Sequence, residues 1–560
     1  MSNFKKLKVG ILVDDEKQSF LVKELYKKSL NSKYYSIDFL IIQKKNNKQI
    51  SIIKILISLI KTKGFLGLVD WLIFSLIDKM ETFLMKRKTV FKNIYFKYPI
   101  SNFDVQKLYI EPEISSFDLS YTYKDSDLKT LKKLNLDLLV KSGSEVLKGK
   151  ILKISRLGVI SFNYNDNNFY KVNLAGFWEV VNQYPTTEFF IKFLTDDKNN
   201  DEIIFRGNIA TSFMYKINLC KLYLKSNIFL HQTIEKLSYH NNDIKSFPKI
   251  SYAHSINKFP RFYETTLYLI KTFFLGSKKK INKIFGYYYR WCVGYQFTKD
   301  WKSPLLKNSI EIKNPKNRFL ADPFVTNYNN KTVLYVEDFN YRLNKGVISA
   351  YEINEEEYRE IGIAIEEKFH LSYPFLIQDQ NELFMIPETG EAKDIRIYKN
   401  VEFPMKWKLH KILMSDVSAT DTNIIYFNNK YWMFTNIDSS KTGDHTSELH
   451  IFYSDNLITT DWKPHKKNPV IFDANQARNG GMIFSKNDEL LRVFQKQGFD
   501  MYGKSLGISR IKILNETDYS EEIIKIIEPN FLKDIKGTHS YTYNSNVLAI
   551  DFVRLEKIND

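Results

Sequence analysis

The chain has 560 residues, 44% hydrophobic and 26% charged, which exceeds one hydrophobic core and predicts two or three globular domains rather than a disordered or fibrous chain. A formal charge of +18 favours anionic partners such as nucleic acid, anionic lipid headgroups or phosphate-bearing substrates. Only Cys220 and Cys292 occur, which excludes a disulfide scaffold and fits a reducing, cytoplasmic compartment.

The apolar run Val9-Gly10-Ile11-Leu12-Val13 is too short, and Asp14 follows too early, for a secretory signal, so a buried first strand is expected there. Short apolar strands then alternate with helical stretches, which predicts an α/β sheet. Strands are expected over 8–13, 35–42, 136–141, 159–163 and 188–194. Helices are expected from Glu16, through the stretch after Ile50, over 145–150 and over 174–182. Residues 1–225 form this first domain, and 226–313 read as a basic, partly helical connector.

The most apolar segment, 64–76, contains Asp70 and is short of the roughly 20 residues a bilayer requires. Two basic, aromatic and amphipathic stretches, 52–88 and 267–290, suit either an anionic membrane surface or packed helices with solvated lysine faces. The basic charge is spread along the chain without a basic-aromatic stripe, so nucleic acid is not the expected partner. Neither a phosphate-binding Gly-rich loop nor a dinucleotide fingerprint is present, and no metal site is expected, because His445 and His450 lack paired ligand spacing elsewhere.

From 314 to 560 the pattern changes to a repeated beat. Asp322 is followed by Glu337, Tyr373 by Glu388 and Asp421 by Asn436, each 15 residues on, with Asn329-Asn330, Gln380-Asn381 and Asn428-Asn429 between two apolar runs. Each unit reads as a β-hairpin whose first and last residues meet at one end. Looser units run from Arg478 to Gln495 and from His539 to Asp551. Five units at a period of about 50 residues predict a five-bladed all-β propeller. Its central ring would gather Asp322, Glu337, Tyr373, Glu388, Asp421, Asn436, Arg478, Gln495 and His539, a mixture of carboxylates, Arg and His suited to a sugar or phosphosugar.

Two resemblances bear on function. The stretch 158–167, then Ala175-Gly176-Phe177-Trp178-Glu179 and Ile204-Phe205-Arg206-Gly207-Asn208, resembles the Rossmann-like catalytic half of folate-dependent formyltransferases, which include methionyl-tRNA and sugar N-formyltransferases. That family uses an Asn-x-His pair and an Asp. The matching positions here hold Ser161, Asn163 and Asn199, with Asp201 beside the last, so the resemblance implies a formyltransferase-like domain with degenerate catalytic residues. Formyl-tetrahydrofolate is implied as cofactor only for an active first domain.

The second set is Leu320-Ala321-Asp322-Pro323-Phe324, Val336-Glu337-Asp338, Ser372-Tyr373-Pro374-Phe375, Pro387-Glu388 and Gly537-Thr538-His539. It resembles the N-terminal domain of glucosamine inositolphosphorylceramide transferase, related to five-bladed glycosidases. In those glycosidases acidic residues on the first three blades act as base or nucleophile, pKa modulator and acid. The resemblance implies Asp322 at the first position and Asp421 where the third-blade acid would be; Tyr373 replaces the second-blade Asp, so Glu337 or Glu388 would take over there, and of the ring residues Tyr373, Asn436, Arg478, Gln495 and His539 are expected to bind substrate.

The expected function is transfer or modification of a sugar in cell-surface glycan or glycolipid synthesis, lipopolysaccharide or capsule included. The substrate would be a sugar, sugar-nucleotide or glycolipid, handled in the cytoplasm or peripherally at the inner face of an anionic membrane. The alternatives are a sugar N-formyltransferase with a propeller accessory and a non-catalytic glycan-binding scaffold.

Overall fold

The computed structural model describes residues 6–44, 52–115, 120–143, 145–163, 168–169, 172–197, 200–239 and 259–557. The chain divides into two compact units, Met1–Gly207 with Thr211–Phe273, and Phe274–Asp560 with Asn208–Ala210.

The first unit is built on a seven-stranded sheet of β1 (Leu7–Val13), β2 (Tyr35–Gln43), β3 (Gln106–Ile110), β4 (Leu138–Lys141), β5 (Val159–Asn163), β6 (Thr186–Phe193) and β7 (Glu202–Ala210), in the order β7-β6-β5-β4-β1-β2-β3. The pairs from β3 through β2, β1 and β4 to β5 are parallel, and β6 turns antiparallel to β5. Parallel strands covered on both faces require continuous apolar runs, and β1 supplies Val9, Ile11, Leu12 and Val13, all buried. Helices are α1 (Phe20–Asn31), α2 (Ile52–Lys86, broken at Gly64 where φ is 70°), α3 (Asp125–Lys133), α4 (Phe177–Val181), α5 (Tyr215–Tyr239) and α6 (Phe262–Ile284).

Three sequence expectations shift. Residues 17–19 form a short strand, and α1 begins after it because Ser19 Oγ accepts the Val22 N–H at 3.4 Å as an N-cap. The helix expected over 145–150 is instead a two-residue strand, Val146–Leu147, followed by a 3₁₀ turn, Gly149–Lys153. The boundary at 225 falls inside α5, whose Leu219, Leu222, Phe229, Leu230, Ile234 and Leu237 form one buried stripe, so the helix cannot be split there.

The second unit holds five sheets. The first is β10 (Arg318–Tyr328), β11 (Lys331–Asn340), β12 (Lys345–Ile353) and β13 (Tyr358–Ile365). The second is β14 (Ser372–Asp379), β15 (Glu382–Glu388), β16 (Asp394–Glu402) and β17 (Lys406–Ser415). The third comprises β18 (Ala419–Phe427), β19 (Lys430–Ile437), β20 (Glu448–Ser454) and β21 (Lys463–Pro464), with the short strand Ile471–Phe472 also paired to β20, and the fourth β22 (Phe484–Lys486), β23 (Glu489–Gly498), β24 (Met501–Leu514) and β25 (Tyr519–Ile527). The fifth joins both ends of the unit: β26 (Tyr541–Asn544) and β27 (Val547–Lys557) pair with β8 (Tyr287–Phe297) and β9 (Ile310–Ile312). Residues 287–297 and 310–312, expected in a connector, are therefore strands, and β8 pairs along its whole length from Tyr287 opposite Lys557 to Phe297 opposite Val547.

The sheets close in a propeller-like ring. Phe324 packs edge-on to Tyr373 at 4.8 Å, joining the first sheet to the second, and Asn423 Nδ2 donates to Tyr373 Oη at 2.9 Å, joining the third. Asn479 Nδ2 donates to the Asp421 carbonyl at 2.8 Å, the Tyr541 N–H to the Gly480 carbonyl at 2.7 Å, and Thr542 Oγ1 to the Pro323 carbonyl at 2.8 Å, which returns to the first sheet.

Each innermost hairpin turns through residues at positive φ: Asn329-Asn330, Gln380, Asn428-Asn429, Asn487-Asp488 and Ser545-Asn546. Paired left-handed residues match the twist of the flanking strands, which is why Asn recurs there.

Candidate functional site

Each of the first three innermost strands carries a bulge in its N-terminal half. Register slips between Ala321 and Phe324, Ser372 and Phe375, and Thr420 and Asn423, and the residue at the slip is left-handed: Asp322, Tyr373 and Asp421 have φ of 48°, 46° and 49°. Non-glycine residues held there by the surrounding ladder re-aim their side chains. The residue before each bulge pairs with a residue in the C-terminal half of the next strand, Ala321 with Glu337, Ser372 with Glu388 and Thr420 with Asn436. This pairing is the physical origin of the 15-residue offset.

Asp322 sits against a histidine from the fifth sheet. His539 Nε2 lies 3.4 Å from Asp322 Oδ1, and its Nδ1 lies 2.7 Å from Asp551 Oδ2. Asp551, fully buried, also accepts the N–H groups of His539 and Ser540 at 2.9 Å each and of Asp322 at 3.2 Å. Trp291 covers the imidazole at 3.8 Å between ring centroids, and Tyr502 meets it edge-on at 5.1 Å. Oxygen and nitrogen atoms of Asp322, His539 and Asp551 lie within 4.8 Å of one another, a donor set also able to hold a cation.

Asp421 faces the fourth sheet. Arg478 Nε donates to Asp421 Oδ2 at 2.6 Å, and Gln495 Nε2 donates to the same oxygen at 3.2 Å. The Arg478 guanidinium lies 4.6 Å from the ring centroid of Tyr502, which is 39% exposed amid buried neighbours. Gln495 Oε1 is buried with no hydrogen-bond partner among the described residues.

Burial and crowding set the charges. Burial pushes the Asp322 carboxyl up from 3.8 to about 7; His539 pulls it down, Asp551 and Asp421 push it up. Burial likewise raises Glu337 well above the glutamate range, reinforced by Asp322, Glu388 and Asp551. Glu388 is raised by burial and by Asp421, with Arg478 opposing. His539 is raised although burial opposes it, because Asp551 and Asp322 favour the imidazolium. Asp322, Glu337, Glu388, Asp421, Arg478, Gln495 and His539 thus act on one another within a single electrostatic cluster.

Tyr373 and Asn436 stand apart from the substrate-binding role expected of them. Both are fully buried; Tyr373 Oη donates to the Gly481 carbonyl at 2.7 Å and accepts the Gly481 N–H at 3.1 Å, so it staples sheets together. Asn436 donates to the carbonyls of Glu448 and Ala477 and accepts the Asn479 N–H, so its amide is spent on framework. Conversely Asp551, Trp291 and Tyr502 join the cluster. Asp551 follows its hairpin's first strand at a spacing like that of Glu337 and Glu388, which was a usable signal; Trp291 arrives through long-range pairing that leaves none.

A cavity of about 340 Å³ lies near the hairpin turns, lined by Asn327, Asp379, Tyr431 and Ser545, and contains none of these acids.

In the first unit Ser161 is buried on β5, and Asp201 accepts the Thr195 N–H at 2.8 Å and the Thr195 hydroxyl at 3.4 Å, a turn-fixing role. The Asn163 side chain and Asn199 lie outside the described residues. A different polar centre forms where β1, β2 and β4 end: Gln43 Nε2 donates to Asp14 and Glu145 at 2.9 Å each, and Tyr123 donates to Gln43 Oε1 at 2.6 Å.

Residues 304–553 match the family model described as glucosamine inositolphosphorylceramide transferase 1, N-terminal. The Arabidopsis thaliana protein named glucosamine inositolphosphorylceramide transferase 1 is 34% identical over 211 residues, 37% of this chain and 27% of its own. The Oryza sativa subsp. japonica protein of that name is 31% identical over 212 residues, 37% of this chain and 28% of its own. The chain thus spans less than a third of the length of these relatives. Among solved structures, a thermostable family-43 glycoside hydrolase aligns at 13% identity with a TM-score of 0.29, over 37% of this chain and 76% of that one.

Proposed function

We propose that the second unit handles a sugar in glycolipid or surface-glycan synthesis, and that the reaction at its centre is sugar transfer. The observation that carries this reading is the convergence of Asp322, Glu337, Glu388 and Asp421 on one cluster with Arg478 and His539. Transfer at an anomeric centre needs one carboxylate to take a proton or stabilise positive charge and one protonated acid to release the leaving oxygen. Asp322, with a pKa of about 7, is divided between its two forms near neutral pH and suits the first role. Glu388, whose carboxyl burial and then Asp421 hold well above the usual glutamate range, suits the second.

Arg478 and His539 give the cluster cationic groups for a phosphate-bearing sugar or acceptor. The plant relatives' name supports an inositolphosphoryl glycolipid as acceptor, and action at the cytoplasmic face of a membrane belongs to the same proposal. The test is transfer of labelled sugar to an inositolphosphate-bearing glycolipid by wild type, Asp322→Asn and Glu388→Gln. Loss of transfer in both folded variants supports the reading, and undiminished transfer in Asp322→Asn refutes it.

A second reading, glycan binding without turnover, draws on the Arg478–Asp421 pair, which holds one carboxylate in a fixed ion pair. It predicts sugar binding that survives Asp322→Asn with no product from wild type.

A further inference from the structure

Among the described residues of the first unit, α2 is apolar on two opposite faces. Its inner face, Phe74, Ile77 and Met85, is buried, with the hydrogen-bonded Glu81 among them. Its outer face, Phe65, Leu72, Leu76, Met80 and Phe83, recurs at helical spacing and is exposed, Leu76 by 69% and Phe65 by 72%. On α6, Tyr263, Leu267, Ile270 and Phe273 repeat the pattern, Phe273 being 71% exposed, while Thr265 and Tyr268 point inward. The two helices are pinned together: the Phe262 N–H donates to Asp70 at 2.5 Å and Tyr268 Oη donates to Glu81.

Charge is sorted by face as well. The acids of described α2 are engaged with the protein: Asp70 with Phe262, Asp78 with Lys216 at 2.5 Å, and Glu81 with the Lys216 N–H at 3.0 Å. Glu264, the sole acid of α6, caps the Arg261 N–H at 2.8 Å. The exposed charges are cations: Lys79, Lys86, Arg87 and Lys88 on and after α2. Arg87 lies over the Phe83 ring at 4.2 Å, so a cation borders the apolar stripe directly. A protein partner's apolar patch would not call for this cationic border, whereas anionic headgroups flanking acyl chains would. No described helix is long and apolar enough to cross a membrane, which leaves lying in the interface.

We infer that the outer faces of α2 and α6 dock the first unit on an anionic lipid bilayer, apolar side chains entering the acyl boundary and the bordering lysines and Arg87 meeting the headgroups. The inference is independent of the chemistry proposed for the second unit, because vesicle binding is read without sugar transfer.

The test is co-flotation of the full chain with phosphatidylglycerol-rich vesicles and with pure phosphatidylcholine vesicles. Wild type is expected to float with the anionic vesicles and to be released by salt. Leu76→Glu with Phe83→Glu should lower partitioning by at least about tenfold. Lys86→Glu with Lys88→Glu should lower it about fivefold per residue. Circular dichroism and thermal melting should match wild type, since these side chains point outward. Undiminished flotation of the Leu76→Glu, Phe83→Glu chain overturns the inference. So does a wild type that ignores vesicles, or one whose self-association, rather than flotation, is what the substitutions abolish.

Discussion

The first three sheets of the second unit and its last two contribute opposite things to the same cluster. Sheets one to three repeat one device, a left-handed bulge residue next to the residue that pairs with the following strand, and between them deliver Asp322, Glu337, Glu388 and Asp421. Sheets four and five break the regularity, with a three-residue innermost strand in one and a sheet assembled from both ends of the unit in the other. They deliver the cations Arg478 and His539, with Asp551 holding His539 in place. Repetition concentrates carboxylates that burial and one another push upward, and the irregular sheets supply the cations that oppose this.

The largest expected break of this division comes from Asp322. Asp322→Asn should lower the rate of sugar transfer by about 10²–10⁴-fold, as for loss of a proton-transferring group, with KM changed far less; steady-state kinetics checks this.

Next is Arg478. Replacing it by Met leaves Asp421 buried without its ion pair and should cost about 3–5 kcal/mol of stability, measured by urea unfolding. The same substitution should raise the pKa of Glu388 further, since Arg478 opposes that rise.

The pH response sharpens the comparison. Asp322 is raised from 3.8 to about 7, so the folded state holds its proton more tightly than the unfolded one, and this contribution to stability is lost as pH climbs from about 4 through 7. His539 is raised as well, so its contribution is present at low pH and lost as pH rises through its folded value. Asp322→Asn should therefore narrow the stability gap to wild type, or reverse it, at pH 8 relative to pH 5, read as Tm at each pH. Transfer by wild type should rise through pH 7 as Asp322 ionises.

The smallest effect is expected at Tyr373. Tyr373→Phe removes the hydroxyl that bridges Gly481 and Asn423 and should cost about 1–3 kcal/mol with kcat within about twofold of wild type. A collapse of kcat instead would return Tyr373 to the catalytic group.

What was legible in the sequence follows the same division. The hairpins could be read because a two-residue left-handed turn strongly favours Asn, and the offset of 15 because bulge and strand end are close along the chain. The strands of the first unit could be read from apolar runs such as that of β1. The framework roles of Tyr373 and Asn436 could not, since sequence position fixes where a residue sits along a strand but not which atoms its side chain meets across sheets. Trp291 was hidden in the presumed connector because β8 pairs with β27 across more than 250 residues, and closure of a ring leaves no local pattern.

The most direct test of the central claim is a mass profile of extracted glycolipids and surface glycans from cells carrying wild type, Asp322→Asn or no copy of the gene. The account predicts the same loss of one sugar-sized mass in the variant and the deletion. A variant profile identical to wild type, or a deletion that loses only a formyl-sized mass, would contradict it.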